Sequence, residues 1–191
     1  YEHEGKWSGY LPAFAGGNLP KTIEKLKSGK DFSLVLLGNS ISAGGNASKF
    51  VKAPPYQPTF GDLVAINLEH AYKTKVKFAN PSVGGKRSDW GVNVINQVIK
   101  EEPDLVIIGF GMNDASSRFT PQYYAQNVKT MMDAVRASKQ DAEFIIIATM
   151  TGNSEWIHSS PELYVAYRDE LKKLCTEGVA LADMTSMWLS L

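Results

Sequence analysis

The sequence is poor in cysteine and has no excess of either charge. Cys175 is the single cysteine among 191 residues, so the chain can form no internal disulfide and has no cysteine cluster for a metal. Twenty Lys and Arg residues balance twenty Asp and Glu residues, which leaves no basic field to attract nucleic acid. Long hydrophobic runs are also missing. The longest, such as residues 34–37 and 144–148, are far too short to span a membrane.

What remains is the composition of an ordinary globular protein. Hydrophobic residues make up 43% of the chain and charged residues 21%, which excludes a disordered chain, a collagen-like repeat and a coiled coil. The length fits one domain with a sizeable core, or one domain with a short extension. Residues 1–30 contain a Gly-Gly pair and two prolines. We interpret them as an N-terminal segment or linker, and residues 31–191 as the domain.

Short apolar segments alternate with amphipathic helices along residues 31–191. Apolar residues at helical spacing, together with Thr120-Pro121 and Ser160-Pro161 as start signals, predict the longer helices. This alternation is typical of an α/β protein with three α/β/α layers, in which helices cover both faces of a central parallel sheet. Ligands of such sheets bind at the carboxyl ends of the strands. The predicted strands are residues 33–37, 75–80, 105–108, 144–148 and 179–182.

Small polar residues follow four of these strands. Ser40 lies after the first strand, Gly84 and Gly85 after the second, Asn113 after the third, and residues 151–158 after the fourth. Any one of these segments alone is typical of a turn. Together they place a hydroxyl, an approachable backbone amide and a side-chain amide on one edge of the sheet, which suits acyl transfer. Phosphate binding is less well supported, because neither G-x-x-x-x-G-K-[ST] nor G-x-G-x-x-G is present.

Three of these segments resemble the motif blocks of the SGNH (GDSL-type) hydrolase superfamily. Residues 36–42 resemble the first block, whose nucleophilic serine matches Ser40. Residues 80–85 are similar to the second block, whose oxyanion-hole glycine matches Gly85. Gly-Met-Asn-Asp at residues 111–114 is similar to the third block, G-x-N-D, whose oxyanion-binding asparagine matches Asn113. The resemblance extends from about residue 34 to the end and implies the flavodoxin-like SGNH hydrolase fold.

The sequence departs from the SGNH pattern in two places. Asn39 stands where the GDS triplet of the family has an aspartate, and the D-x-x-H motif that supplies the base and its orienting acid has no match. Leu191 falls just before the expected position of that motif. We therefore expect the domain to be C-terminally incomplete here, with the catalytic His and Asp outside this sequence. His158, in the loop after the fourth strand, is the alternative base.

The resemblance implies a serine ester hydrolase that works through an acyl-enzyme. We expect it to remove an acyl group, such as acetyl, from a polar carrier such as a carbohydrate. The alternatives are a non-catalytic SGNH-fold binding module, which Asn39 and the missing D-x-x-H motif favour, and a lipid or thioester acylhydrolase. A secreted or periplasmic location is favoured over the cytoplasm.

The same resemblance sets expectations for ligands. It implies no metal and no organic cofactor, and a small-molecule or polysaccharide ester as the partner. The balanced charge and the short apolar runs predict no nucleic-acid partner and no membrane span. Candidate substrate-binding residues are Asn39, Trp90, Trp156 and His158. A helix anchor in the core is the alternative role for Trp90, and simple loop packing is the alternative for Trp156.

Overall fold

The sheet has five strands, all parallel, as the sequence predicts. The computed structural model describes residues 8–153, 155–156 and 160–191. The spatial order of the strands is β2-β1-β3-β4-β5, so the strand order reverses between β1 and β3. Ligands of open parallel sheets bind at such a reversal. The strands are β1 (Phe32–Gly38), β2 (Val76–Ala79), β3 (Leu105–Gly109), β4 (Glu143–Ala148) and β5 (Val179–Asp183).

Helices connect the strands and cover both faces of the sheet. A short 3-10 turn at Gly16–Asn18 comes before the first of them. The α-helices are α1 (Pro20–Lys27), α2 (Phe60–Tyr72), α3 (Ser88–Val94), α4 (Asn96–Ile99), α5 (Met112–Ser116), α6 (Pro121–Ser138), α7 (Pro161–Lys172) and α8 (Met184–Leu189). Within the described part of the N-terminal segment, Leu19 and Leu26 are buried in the core, so α1 packs on the domain.

The core has two halves, one on each face of the sheet. Successive residues of a strand point to opposite faces, so Val35 and Leu37 of β1 pack among α3, α6 and α7, whereas Leu34 and Leu36 face α1 and α2. All four leucine and valine side chains are fully buried. Burial on both faces explains why the central strands are continuous apolar runs in the sequence.

The predicted helix starts are confirmed, whereas residues 91–98, whose apolar spacing predicts one helix, form two. The side chain of Thr120 accepts a hydrogen bond from the Tyr123 amide, and Ser160 caps α7 in the same way. The apolar stripe at residues 91–98 belongs to two short helices, because the Ile95 amide bonds to the Val92 carbonyl three residues back. This tighter turn separates α3 from α4.

Asp104 joins three elements at the amino end of the sheet, opposite the edge where the polar loops lie. Its carboxylate accepts hydrogen bonds from the Ser33 amide of β1 (2.8 Å), from Lys25 of α1 (2.6 Å) and from Lys139 after α6. Burial raises the pKa of Asp104, but the bonds from Lys139, Lys25 and Ser33 outweigh it, so the pKa lies below its ordinary value. The carboxylate therefore stabilises the fold in its charged form.

We expect Asp104→Asn to lower the free energy of unfolding by roughly 1–3 kcal/mol near neutral pH, because two charge-assisted hydrogen bonds are lost. An acid whose pKa is lower in the folded state stabilises the protein above its unfolded pKa and loses this contribution as the pH falls through the folded value. The difference between the variant and the parent should therefore shrink below about pH 4.

Urea-induced unfolding, followed by circular dichroism at several pH values, measures this difference. Asp133→Asn is the matched control, because Asp133 forms an exposed ion pair with Lys129 on α6 and such pairs contribute roughly 0–1 kcal/mol. Equal stability of the Asp104 variant and the parent at neutral pH would contradict the role given to Asp104.

Candidate active site

Ser40 lies in a tight turn directly after β1, and its side chain is exposed. The turn is closed by a hydrogen bond from the Gly45 amide to the Ser40 carbonyl (2.8 Å). At Gly38, the last residue of β1, a Cβ atom would lie 2.2 Å from the carbonyl oxygen of Gly109 on β3. Glycine is therefore required where the two strands end side by side. This close approach places Ser40 at the carboxyl edge of the sheet, beside the strand-order reversal.

The loop after β2 packs directly against the serine turn. The Val83 amide donates a hydrogen bond to the Gly38 carbonyl (3.2 Å), and a Cβ atom on Gly84 would lie 3.7 Å from the Cβ of Ser40. Gly85 follows, with a φ of 75° that favours glycine. Neither the Ser40 nor the Gly85 backbone N–H donates to another described residue. Two free amide donors therefore lie on adjacent loops.

Asn113 connects the loop after β3 with the loop after β2, which contains Gly85. It lies in the first turn of α5, and its side-chain N–H donates to the carbonyl of Lys86, the residue after Gly85, at 2.8 Å. A carboxamide nitrogen carries two hydrogens, so this bond holds the Asn113 amide against the loop after β2 and leaves one N–H for a ligand. The structure thus brings the loops of Ser40, Gly85 and Asn113 together.

A buried network behind the edge supports these loops. The carboxylate of Asp114 is fully buried and accepts hydrogen bonds from the Ser88 amide (2.9 Å), the Ser88 hydroxyl and the Gly111 amide (3.0 Å). Asn127 of α6 donates to the Ser88 hydroxyl (3.0 Å). Burial raises the pKa of Asp114, although the bonds from Ser88 and Gly111 oppose this. Asp114 therefore ties the loop after β2 to the loop after β3.

The sequence interpretation left the role of Asp114 open and did not identify Ser88 or Asn127. From the sequence, Asp114 is either a solvated carboxylate or a residue that holds the Asn113 turn, and its burial and contacts show the second role. Ser88 and Asn127 are far apart in sequence and belong to no motif. The position of Asp114 directly after Asn113 is the one sequence signal that pointed toward this network.

The candidate substrate-binding residues differ in their exposure. Asn39 is buried, and its side-chain oxygen accepts a hydrogen bond from the Ile41 amide (3.0 Å) within the serine turn. Trp90 is half-buried and packs against the core, and the Lys86 ammonium lies 5.8 Å from its ring centroid. Trp156 is 51% exposed on the loop after β4. His158 lies outside the described residues.

The described residues show no base bonded to the serine. The Ser40 hydroxyl makes no hydrogen bond to any of them. His70, the one histidine among them, is exposed on α2. Nor do any three His, Cys, Asp or Glu side chains in this part of the chain come together in a way that could hold a metal ion. Across the same residues, no helix has both the length and the apolar composition needed to cross a membrane.

An apolar cavity of about 450 Å³ lies behind the serine turn, between α2 and α8. The side chains that form it come from the sheet face that α1 and α2 cover in part, such as Ile107, Ile145 and Ile147. Ile41 and Ser42 border it, so it begins within two residues of Ser40.

Residues 36–190 match the model of the GDSL-like lipase/acylhydrolase family, and the matched segment contains all three loops of the edge. The chain belongs to this family. The family is one of lipases and acylhydrolases, and the matched segment includes Ser40.

Curated relatives of this GDSL-family chain include an enzyme of Escherichia coli strain K12, thioesterase 1/protease 1/lysophospholipase L1. The two sequences are 26% identical over 110 residues, which is 57% of this chain and 48% of the relative. The chain thus matches about half the length of this relative.

Solved structures with the same fold include several esterases. The crystal structure of TesA has a TM-score of 0.60 at 22% identity, and the match covers 78% of this chain and 76% of the TesA chain. A two-domain esterase active on acetylated mannans has a TM-score of 0.67 at 20% identity, covering 89% of this chain and 42% of its own. AlinE4, an SGNH-hydrolase family esterase, has a TM-score of 0.63 at 15% identity, and the match covers 83% of this chain and 77% of AlinE4. These similarities confirm the three-layer SGNH hydrolase fold.

We expect Asp114→Asn to destabilise this GDSL-family domain by roughly 1–3 kcal/mol, because an amide nitrogen would then face the N–H donors of Ser88 or Gly111 and leave one of them unpaired. Urea unfolding measures the change. Asp169→Asn, which removes a half-exposed carboxylate paired with Arg168, is the control and should change stability by less than about 1 kcal/mol. Equal losses in the two variants would show that the Asp114 network does not hold the edge together.

Proposed function

We propose that this protein hydrolyses carboxylic esters, with Ser40 as the nucleophile. One observation carries the proposal. An exposed serine hydroxyl lies beside the backbone amides of Ser40 and Gly85, neither of which donates to another described residue, and the loop of Gly85 is bonded to the side-chain amide of Asn113. Three hydrogen-bond donors beside a serine suit the negative oxygen that forms during acyl transfer.

In the proposed reaction, the Ser40 oxygen attacks the ester carbonyl carbon, and the electron pair of the carbonyl bond moves onto its oxygen. The amides of Ser40 and Gly85 and the side chain of Asn113 stabilise this oxyanion. Loss of one such donor typically costs on the order of 10²–10³ in rate. A general base takes the serine proton and delivers it to the alcohol oxygen as the carbon–oxygen bond breaks.

Water then attacks the acyl-enzyme, the base accepts a proton from it, and the Ser40 oxygen leaves with that proton to release the acid. The family resemblance assigns the base to a histidine of a D-x-x-H motif, for which residues 1–191 contain no match. His158 is the alternative.

We propose a short acyl group, such as acetyl, on a polar carrier such as a polysaccharide as the substrate. The two-domain esterase that shares this fold over 89% of the chain is active on acetylated mannans, which supports this choice. The exposed indole of Trp156 on the same edge is also consistent with it, because aromatic rings can pack on the C–H faces of sugar rings.

A second candidate is hydrolysis of lipid esters or thioesters. The Escherichia coli relative is a thioesterase and lysophospholipase, and the apolar cavity of about 450 Å³ behind Ile41 and Ser42 could hold an acyl chain. The two candidates differ in the acyl length that they favour.

We expect Ser40→Ala to abolish turnover of p-nitrophenyl acetate and labelling by a fluorophosphonate, because both require the serine oxygen. Mass spectrometry of the labelled protein should place the adduct on Ser40. Ser42→Ala is the matched control, since the Ser42 hydroxyl is buried and donates to the Gly109 carbonyl (3.2 Å).

Two results would reject the nucleophile assigned here: labelling of another serine, or unchanged turnover by Ser40→Ala. No labelling and no turnover in the full-length protein would favour the binding-module alternative. If the parent protein turns over p-nitrophenyl acetate, we expect the His158→Ala variant to retain this activity. Loss of the activity in that variant would assign the base to His158.

We expect p-nitrophenyl acetate to be a better substrate than p-nitrophenyl octanoate by kcat/KM, and acetate to be released from acetylated mannan and acetylated xylan. The reason is that small polar residues form the edge around Ser40, whereas Ser40 itself does not line the apolar cavity behind its turn. A preference for octanoate and for lysophospholipid would instead support the second candidate. Chromatographic measurement of released acetate and fatty acid distinguishes the two.

A further inference from the structure

The loop of residues 46–58 connects the serine turn with α2 and has a fixed backbone of its own. Its two ends are joined by hydrogen bonds from the Lys49 amide to the Gln57 carbonyl (3.0 Å) and from the Gln57 amide to the Ser48 hydroxyl (2.7 Å). Within the loop, the Ala53 amide donates to the Ser48 carbonyl (2.8 Å) and the Tyr56 amide to the Ala53 carbonyl (2.9 Å). The 46–58 loop is therefore ordered by its backbone.

The large apolar side chains of the 46–58 loop point outward rather than into a core of their own. Phe50 is 67% exposed, Tyr56 is 58% exposed and Val51 is 50% exposed. Because backbone hydrogen bonds already hold the loop, these side chains are free to contact a ligand. Several exposed apolar side chains within one short loop are typical of a binding surface.

The charge of this segment is of one sign. No Asp or Glu occurs between Asp31 and Asp62, and Lys49 and Lys52 are the charged residues of that stretch. Both lysines are exposed and form no ion pair with another described residue. The loop thus offers aromatic rings next to hydrogen-bond donors, without a carboxylate to repel an electron-rich partner.

The position of the loop relates it to the proposed chemistry. It begins directly after the serine turn, which the bond from Gly45 to the Ser40 carbonyl closes. Trp156 is exposed on the loop after β4, on the other side of β3. Since neighbouring strands lie about 4.8 Å apart, β1 and β4 are separated by roughly 10 Å. The 46–58 loop therefore begins on one side of the strand that leads to Asn113, and the loop of Trp156 begins on the other side.

We propose that the 46–58 loop binds the sugar units next to the acylated one, with Phe50 and Tyr56 packed on sugar rings. This inference rests on the proposed esterase function and specifies its carrier as an extended polysaccharide chain. The C–H face of a sugar ring packs on an aromatic ring, while its hydroxyls can accept hydrogen bonds from Lys49 and Lys52. A chain that crosses the edge from the 46–58 loop to Trp156 would pass over Ser40.

A polysaccharide fits this arrangement better than a lipid surface. Membrane-binding elements present one continuous apolar face, whereas here Lys49 and Lys52 enclose Phe50 and Val51, and Gln57 follows Tyr56. Exposed rings also occur on two loops, those that follow β1 and β4, which suits an extended ligand.

The test compares Phe50→Ala and Tyr56→Ala with Phe14→Ala. Phe14 is 94% exposed and lies just before the 3-10 turn, which is bonded to the amino end of β5 through Gly178 (2.7 Å), on the opposite end of the sheet from Ser40. Native electrophoresis through gels that contain the two acetylated polysaccharides named above measures binding without turnover. The same experiment in a Ser40→Ala background separates binding from hydrolysis.

We expect each loop variant to bind the polysaccharides up to about tenfold more weakly, as the loss of one ring contact would cause. KM for the polymers should rise by the same factor, with kcat for p-nitrophenyl acetate unchanged. Phe14→Ala should behave as the parent does.

Two results would overturn the proposed role of the 46–58 loop while leaving the esterase function intact. One is equal retardation of the parent and both loop variants. The other is a parent protein that is not retarded by the polysaccharides but binds phosphatidylcholine–phosphatidylglycerol vesicles, together with loop variants that no longer bind these vesicles. This second result would identify the loop as a lipid-docking element. Loss of p-nitrophenyl acetate turnover in Ser40→Ala tests the proposed function separately.

Discussion

The close approach of β1 and β3 at Gly38 and Gly109 is the contact on which the rest of the site depends. The two glycines are paired in register, and a Cβ on Gly38 would overlap the Gly109 carbonyl oxygen. Their proximity lets the Asn39 amide donate to that same carbonyl (3.2 Å), which begins the serine turn. A larger side chain would force the strand ends apart and separate Ser40 from the loop of Asn113.

The buried carboxylate of Asp114 connects the loop after β2 with the loop after β3. Asp114 is removed from water, which costs free energy, and its hydrogen bonds with Ser88 and Gly111 compensate for that loss. The geometry of the donors that face solvent is thus maintained by residues that a substrate would not touch. Preorganised donors need little rearrangement during a reaction, so the network supports the proposed oxyanion site indirectly.

Much of the fold was predictable because its physical signals are local. The five strands are buried runs or an alternating edge strand, and both patterns are visible within a few residues. The caps at Thr120 and Ser160 depend on one hydroxyl and the amide three residues later. The break at Ile95 was missed, because apolar spacing is nearly the same in one helix and in two short ones. Ser88 and Asn127 were missed because they meet only through tertiary packing.

The sequence by itself determined the residue types and their order: a serine, a glycine and an asparagine, each after a strand of one parallel sheet. Only the tertiary structure decided that Gly84 lies against Ser40, that Asn113 bonds to Lys86, and that Trp156 is exposed while Trp90 is half-buried. The reason is physical. Periodicity shows which face of an element a residue occupies, but contacts between loops depend on how distant segments pack together.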